Sequence, residues 1–196
     1  MTIFAASQIL LWLAVITLAV LVAALARQVG ILHERIAPAG ALTLHQKVNV
    51  GDTPAELHLA TLDGGEIRIG GARDGRSQLI FFVSPECSIC KSLLPVLTSA
   101  AHAERRWLDT VLASDGEDAA PHRRLAMTHD LTGMPYVLSE RLGRSFGVSK
   151  LPYAVLLDEM GRIASLGLIN NREHLESLFE AKERKVASIQ QYLERA

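Results

Sequence analysis

The chain has two cysteines, Cys87 and Cys90, and they stand two residues apart. Three kinds of chemistry suit that spacing. Structural zinc normally takes four ligands. No second cysteine pair exists, and His33, His45, His58, His102, His122, His129 and His174 form no H-x3–5-H pair placed for a finger. A structural disulfide across two residues closes a tiny loop, and loop-closure stabilisation grows with loop length, so it would be a poor staple. The third use is thiol–disulfide exchange. Its attacking species is a thiolate, which a helix N-terminus stabilises through free backbone N–H groups and the macrodipole.

The flanking residues predict such a helix. Ser77 to Val83, "SQLIFFV", follows the turn Asp74-Gly75 and is β-prone and apolar on both faces. That pattern belongs to a central strand in a covered sheet. After the cysteines, Leu93, Leu94, Leu97 and Ala101 recur at helical spacing, and Pro95 within them is expected to kink the helix. The dithiol therefore sits at a sheet's carboxyl edge, where α/β folds place their chemistry. Cys87 is expected at the helix start, exposed, forming a mixed disulfide with a partner. Cys90, one turn inward and shielded, resolves it. Glu86 opposes a thiolate at Cys87 and Lys91 favours one nearby.

The elements around this handover read in order. Leu57, Leu59, Ile67 and Ile69 alternate with polar residues about Asp63-Gly64-Gly65, a strand–turn–strand hairpin. "WLDTVLAS" is a strand, "DAAPHRRLAMTHDL" a helix with Pro121 in its first turn, "MPYVLS" a short strand and "SERLGRSFGV" a short helix. "LPYAVLLDEMGRIASLGLI" gives two strands about a Glu159-Met160-Gly161 turn. Asn170 or Asn171 caps a last helix striped by Leu175, Leu178, Phe179, Val186, Ile189 and Leu193. This order predicts an α/β fold, a central mixed sheet with helices on both faces.

Apolar residues make up 49 % of the 196 residues, high for a soluble domain, and the excess sits at the N-terminus. No charged residue occurs from Thr2 to Ala26. A spanning helix needs roughly 20 apolar residues, and Ile3 to Ala26 meets that length. A cleaved signal would carry a basic start and an apolar run of about 7–15 residues; this segment has neither, although Ala24-Leu25-Ala26 resembles a cleavage site. The expected organisation is a transmembrane anchor over 1–26, a linker over 27–42 and the α/β domain over 43–196. Arg27 and Arg35 beyond the anchor weakly favour a cytoplasmic domain by the positive-inside rule. The net charge of −1 and the scattered basic pairs argue against a nucleic-acid partner.

The strand–"CSIC"–helix arrangement, with Pro95 five residues past Cys90, resembles the thioredoxin superfamily. "KLPYAVLLDEMGRI" matches the layout of that fold's second signature. The resemblance implies a cis Pro152 opposite the dithiol and a Leu151 backbone that pairs with bound polypeptide. The hairpin "VGDTPAELHLATLDGGEIRIGG" is similar to that of the TlpA/peroxiredoxin-like branch. The peroxiredoxin motif Pro-x-x-x-Thr-x-x-Cys is absent, since Val83 to Cys87 reads Val-Ser-Pro-Glu-Cys. Copper chaperones of the branch space their thiols by three residues and add a distant histidine. Anchor, dithiol segment and tail together most resemble MauD, the membrane-anchored accessory family of methylamine utilisation.

That resemblance implies a periplasmic thiol–disulfide oxidoreductase or isomerase. Its client would be the disulfide-rich small subunit of methylamine dehydrogenase. A redox partner would reset the dithiol, and no cofactor is expected beyond the redox-active Cys87–Cys90 pair. Ser88 departs from the Pro that many relatives carry after the first cysteine. Phe81 and Leu93 stand where thioredoxin-like reductants keep a carboxylate, which favours donating or rearranging disulfides over reducing them. The rival expectations are a TlpA-like reductant for cytochrome or copper-site assembly, a non-catalytic thioredoxin-fold chaperone, and a metal chaperone.

Overall fold

The computed structural model describes residues 2–35, 48–131 and 133–184. The chain divides into two units, Met1–Thr43 and Leu44–Ala196. The first contains one helix, α1 (Thr2–Arg35). Its described side chains are exposed on all sides, including Phe4, Leu10, Trp12, Leu13 and Leu21. Thr17 satisfies its hydroxyl by donating to the Leu13 carbonyl, as a polar side chain in an apolar helix must. Among the described residues no helix is long and apolar enough to cross a membrane.

The second unit is built on a five-stranded mixed sheet and a separate hairpin. The hairpin pairs β1 (Leu57–Ala60) with β2 (Glu66–Ile69). β3 (Ser77–Phe82) follows, then α2 (Ser88–Ala103), β4 (Leu108–Ser114), α3 (Ala119–Thr128), β5 (Tyr136–Leu138) and α4 (Glu140–Ser145). β6 (Tyr153–Leu157), β7 (Ile163–Leu168) and α5 (Arg172–Arg184) complete the unit. Val186, Ile189 and Leu193 of the expected last stripe lie outside the described residues. The strand order is β5-β4-β3-β6-β7, with β3, β4 and β5 parallel and β6 and β7 antiparallel.

β3 is central because both of its faces are apolar. Leu79, Phe81 and Val83 join Leu93, Leu94 and Leu97 of α2 and Leu175, Leu178 and Phe179 of α5. On the opposite face Ile80 and Phe82 pack with Leu142, Phe146 and hairpin residue Ile69. Buried Gln78 joins hairpin to sheet: its side-chain amide donates to the Arg68 carbonyl and its carbonyl accepts from Gly70 N–H. The hairpin also covers the sheet's β5 edge, where Leu62 N–H donates to the Tyr136 carbonyl. That pairing blunts a strand edge that would otherwise be open to association. α2 runs without interruption through Pro95. Pro95 is exposed, so the Lys91 carbonyl that it leaves without a helical donor faces the solvent side. Asn171, rather than Asn170, caps α5, its side chain accepting from His174 N–H.

One charged cluster holds the turn from α2 into β4. Arg76 Nε donates to Asp109 Oδ1 and Arg73 Nη2 donates to Asp109 Oδ2, each at 2.9 Å. Arg76 also donates to the carbonyls of Arg105, Arg106 and Leu108. The Arg76 hydrogen bond holds the Asp109 carboxyl below the usual carboxylate range, against the opposing effect of burial. A depressed folded-state value contributes stability above the unfolded value of about 3.9, lost as pH falls through the folded value. Asp109→Asn is expected to lower stability by about 1–2 kcal/mol at pH 7, discounted because the pair is partly exposed. Urea unfolding should show the difference from the native sequence closing as pH drops below about 4.

Candidate active site

The Cys87–Cys90 pair occupies the step from β3 into α2. Cys87 has extended backbone, φ −82° and ψ 108°, and is the N-cap of α2. Its Sγ accepts a hydrogen bond from Cys90 N–H at 3.1 Å. A helix start leaves N–H groups without intrahelical acceptors, and here a sulfur takes the place usually filled by a hydroxyl or carboxylate. The two sulfurs form a disulfide, with Cα atoms 5.2 Å apart. Cys90 is fully buried. Cys87 is half-buried rather than fully exposed, because it packs at the rim of the core cluster that contains Cys90. Ser88 and Ile89 are exposed on the outer side of the loop.

The approach loop holds its own shape. Cys87 N–H donates to the Ser84 carbonyl at 3.1 Å. Ser84 Oγ donates to Glu86 Oε2 at 2.5 Å and accepts from Glu86 N–H. The Ser84 hydroxyl holds the Glu86 carboxyl below its usual range, and His122 and Lys91 add to the effect. Glu86 is therefore a full negative charge at neutral pH, one residue from the sulfur that must become anionic. Glu86→Gln is expected to raise the rate of exchange at pH 7 by about threefold, the size of one solvated charge at short range. Thiolate absorbance against pH should shift to lower pH in the same variant.

Pro152 reaches this site through the sheet register. Phe82 pairs with Tyr153 across β3 and β6, which sets Pro152 beside Val83, the last residue before the dithiol loop. The Leu151–Pro152 peptide is cis. Pro152 is buried and its carbonyl accepts from Ile169 N–H at 3.0 Å. Leu151 is half-buried and packs against the cores on both sides of the sheet. Cys87, Cys90, Leu151 and Pro152, distant in sequence, thus meet at one end of the sheet. Among the described residues no group of His, Cys, Asp and Glu could hold a metal ion.

Beyond the absence of a finger pair, the histidines gave no signal of chemistry in the sequence, and a buried polar pair was missed. His122 on α3 is buried, and its Nδ1 lies 2.9 Å from Tyr136 Oη on β5. Tyr136 is also buried, and nearby on β4 Ser114 Oγ donates to the Val83 carbonyl at 2.7 Å. Burial pushes the Tyr136 phenol up to about 12 and pushes the His122 imidazole down. The one available signal was spacing: His122 stands three residues before Leu125 on the inward face of α3.

The geometry matches known proteins at two levels. No family model matches the chain. The thioredoxin domain of a thiol-disulfide oxidoreductase from Bacteroides vulgatus superposes with a TM-score of 0.56 at 16 % identity, over 67 % of this chain and 98 % of that one. StoA from Bacillus subtilis gives 0.54 at 22 % identity, over 64 % and 97 %. These likenesses fix a thioredoxin-like fold. Whole-chain relatives are nearer in sequence. The methylamine utilization protein MauD of Paracoccus denitrificans is 45 % identical over 189 residues, 96 % of this chain and 93 % of its own length. That of Methylorubrum extorquens is 44 % identical over 96 % and 91 %. Identity at that level along nearly the whole of both chains means that this protein belongs to the MauD family of methylamine utilization proteins.

Proposed function

We propose that this protein is a thiol–disulfide oxidoreductase of methylamine utilisation. Cys87 is its attacking sulfur, Cys90 its resolving sulfur, and Leu151–Pro152 the segment against which a client polypeptide lies. The observation that carries the proposal is the N-cap. A sulfur that already accepts a helix N–H as part of a disulfide becomes, on reduction, a thiolate held by the same donor. The buried neighbour then attacks the mixed disulfide from within, out of reach of competing thiols. No cofactor beyond the Cys87–Cys90 pair takes part.

The uncharged apolar run from Ile3 to Ala26 supports a membrane anchor at the N-terminus, with the thioredoxin-like domain working in the periplasm. Chemistry supports that side, since disulfides persist in oxidising compartments and are reduced in the cytosol. The client is an exported, disulfide-rich protein, by family the small subunit of methylamine dehydrogenase. A second redox protein resets the dithiol after each turnover. Phe81 and Leu93 leave no carboxylate beside Cys90 at the positions that reductants use, so the direction is disulfide donation or rearrangement.

An alkaline phosphatase fusion after residue 196 tests the compartment: an active fusion is expected, and an inactive one overturns the periplasmic assignment. In cells making the client, replacing both cysteines by Ser is expected to leave the client's disulfides unformed or mispaired. Correct client disulfides in that strain would make the protein a binding chaperone instead. A strongly reducing potential for the purified pair would move the assignment to a TlpA-like reductant.

A further inference from the structure

A polypeptide joined to Cys87 must lie across the dithiol, and the sheet order decides what it meets on each side. The dithiol loop leaves the end of β3, whose neighbours in the sheet are β6 and β4. Leu151–Pro152 leads into β6 on one side. On the other side β4 runs parallel to β3 and is followed by α3. Between the dithiol loop and α3 lies a cleft of about 360 Å³. Its near wall holds Pro85 and Glu86, the two residues before Cys87, and Lys91, the residue after Cys90. Lys91 N–H donates to the Cys87 carbonyl at 3.2 Å, so Lys91 stands one helical turn from the half-buried sulfur. The far wall is α3, where Pro121, Arg124, Leu125 and Thr128 fall at the i, i+3, i+4, i+7 spacing of one helical face.

The cleft has an apolar base and a positive rim. Leu125 is buried, Pro85 and Pro121 are half-buried, and Lys91 and Arg124 are exposed. Among the described residues neither Lys91 nor Arg124 forms an ion pair. Glu86, the carboxylate among the described lining residues, accepts from the Ser84 hydroxyl of its own loop. Asp115, Glu117 and Asp118 lie outside the lining, on the segment that leads into α3, and Asp118 is taken up as the cap of that helix. An ammonium and a guanidinium facing one another across an apolar base suit a carboxylate on a short methylene stem. The guanidinium can hold it with two parallel N–H donors.

We propose that the cleft between the dithiol loop and α3 is a specificity site for clients, taking the side chain of an Asp or Glu that flanks the client's reacting cysteine and holding its carboxylate between Lys91 and Arg124. The inference rests on the redox role given above and names the class of client segment on which that role acts. With the client's sulfur at Cys87 and its backbone beside Leu151–Pro152, the chain continues over Pro85 and Glu86, and its next side chains reach the cleft. A neutral side chain there leaves both cations without a partner, and a basic one meets them as like charges. The cleft therefore discriminates by repulsion as well as by attraction. Lys91 and Arg124 form and break no bond in the exchange; they select what is exchanged.

The test is the rate at which reduced full-length protein exchanges with short peptide disulfides that differ only beside the cysteine, where they carry Glu, Gln or Lys, before it in one series and after it in another. At low salt kcat/KM is expected to be roughly tenfold higher for Glu than for Lys in at least one series, with Gln between, the size of solvated charges at short range. The difference should shrink as salt approaches about 1 M, where screening acts within about 3 Å. Arg124→Gln should lose most of the preference and leave exchange with hydroxyethyl disulfide, a neutral molecule without side chains, unchanged. Lys91→Glu combined with Arg124→Glu should invert the order of the Glu and Lys peptides, and its exchange with hydroxyethyl disulfide shows that the variant is folded. Equal rates for the three peptides in both series, with the neutral disulfide still exchanged, overturn the inference alone. A preference for Glu that survives inversion of both charges overturns it too. A protein that exchanges with none of these disulfides overturns the redox role and the inference together.

Discussion

Cys87→Ser is expected to abolish thiol–disulfide exchange, and Cys90→Ser is expected to accumulate a mixed disulfide with the client. The two outcomes differ because the two sulfurs differ in place. Cys87 is half-buried at the cap of α2 with a helix N–H directed at its sulfur. Removing it removes the atom that an incoming disulfide or thiol can reach. Cys90 is sealed beneath the first turn and meets only a bond already formed at Cys87. Without it the first exchange goes forward and the second has no attacking thiolate. Non-reducing electrophoresis of each variant, incubated with client, reads both results. A trapped adduct in Cys87→Ser and none in Cys90→Ser would reverse the assignment of the two sulfurs.

The second large effect is on stability. Phe81→Ala is expected to cost about 3–5 kcal/mol, the range for removing a large aromatic side chain from a core. Phe81 is fully buried in the central strand, with β4 and β6 on either side. Its ring joins the cluster that includes Cys90 and the inward leucines of α2. Native domains are stable by only about 5–15 kcal/mol, so the loss is a large share of the total. A fall in melting temperature of about 10 °C or more should follow for a domain of this size. The same cavity would loosen the floor beneath Cys90, so exchange should weaken with stability. A loss below about 1 kcal/mol in urea unfolding would mean that the strand is not packed as described.

Much of this fold was legible because each signal had a single physical cause. Ser77 to Val83 read as a central strand since both faces are apolar, and the structure forms it over Ser77–Phe82 with every residue buried. The hairpin followed from alternation about Asp63-Gly64-Gly65, and its register pairs Leu59 with Ile67. The dithiol's place at a helix start followed from the switch of period after Val83. The meeting of Pro152 with the cysteines was a different matter. It depends on β6 running antiparallel beside β3, a long-range pairing that only the family resemblance suggested. The buried pair of His122 and Tyr136 left almost no trace. A histidine at an inward helical spacing reads as core packing, and its partner lies on a strand, β5, distant from it in pattern. Glu86 was legible as an unfavourable neighbour of Cys87, but not the hydrogen bond from Ser84 that keeps it ionised.

The central claim is that Cys87 alone offers a reactive, accessible thiolate. It is tested most directly by brief alkylation of the fully reduced native protein with iodoacetamide, followed by peptide mapping. The account predicts label on Cys87, with Cys90 unmodified until the protein is denatured. Equal labelling of the two sulfurs, or label on Cys90 first, would contradict it.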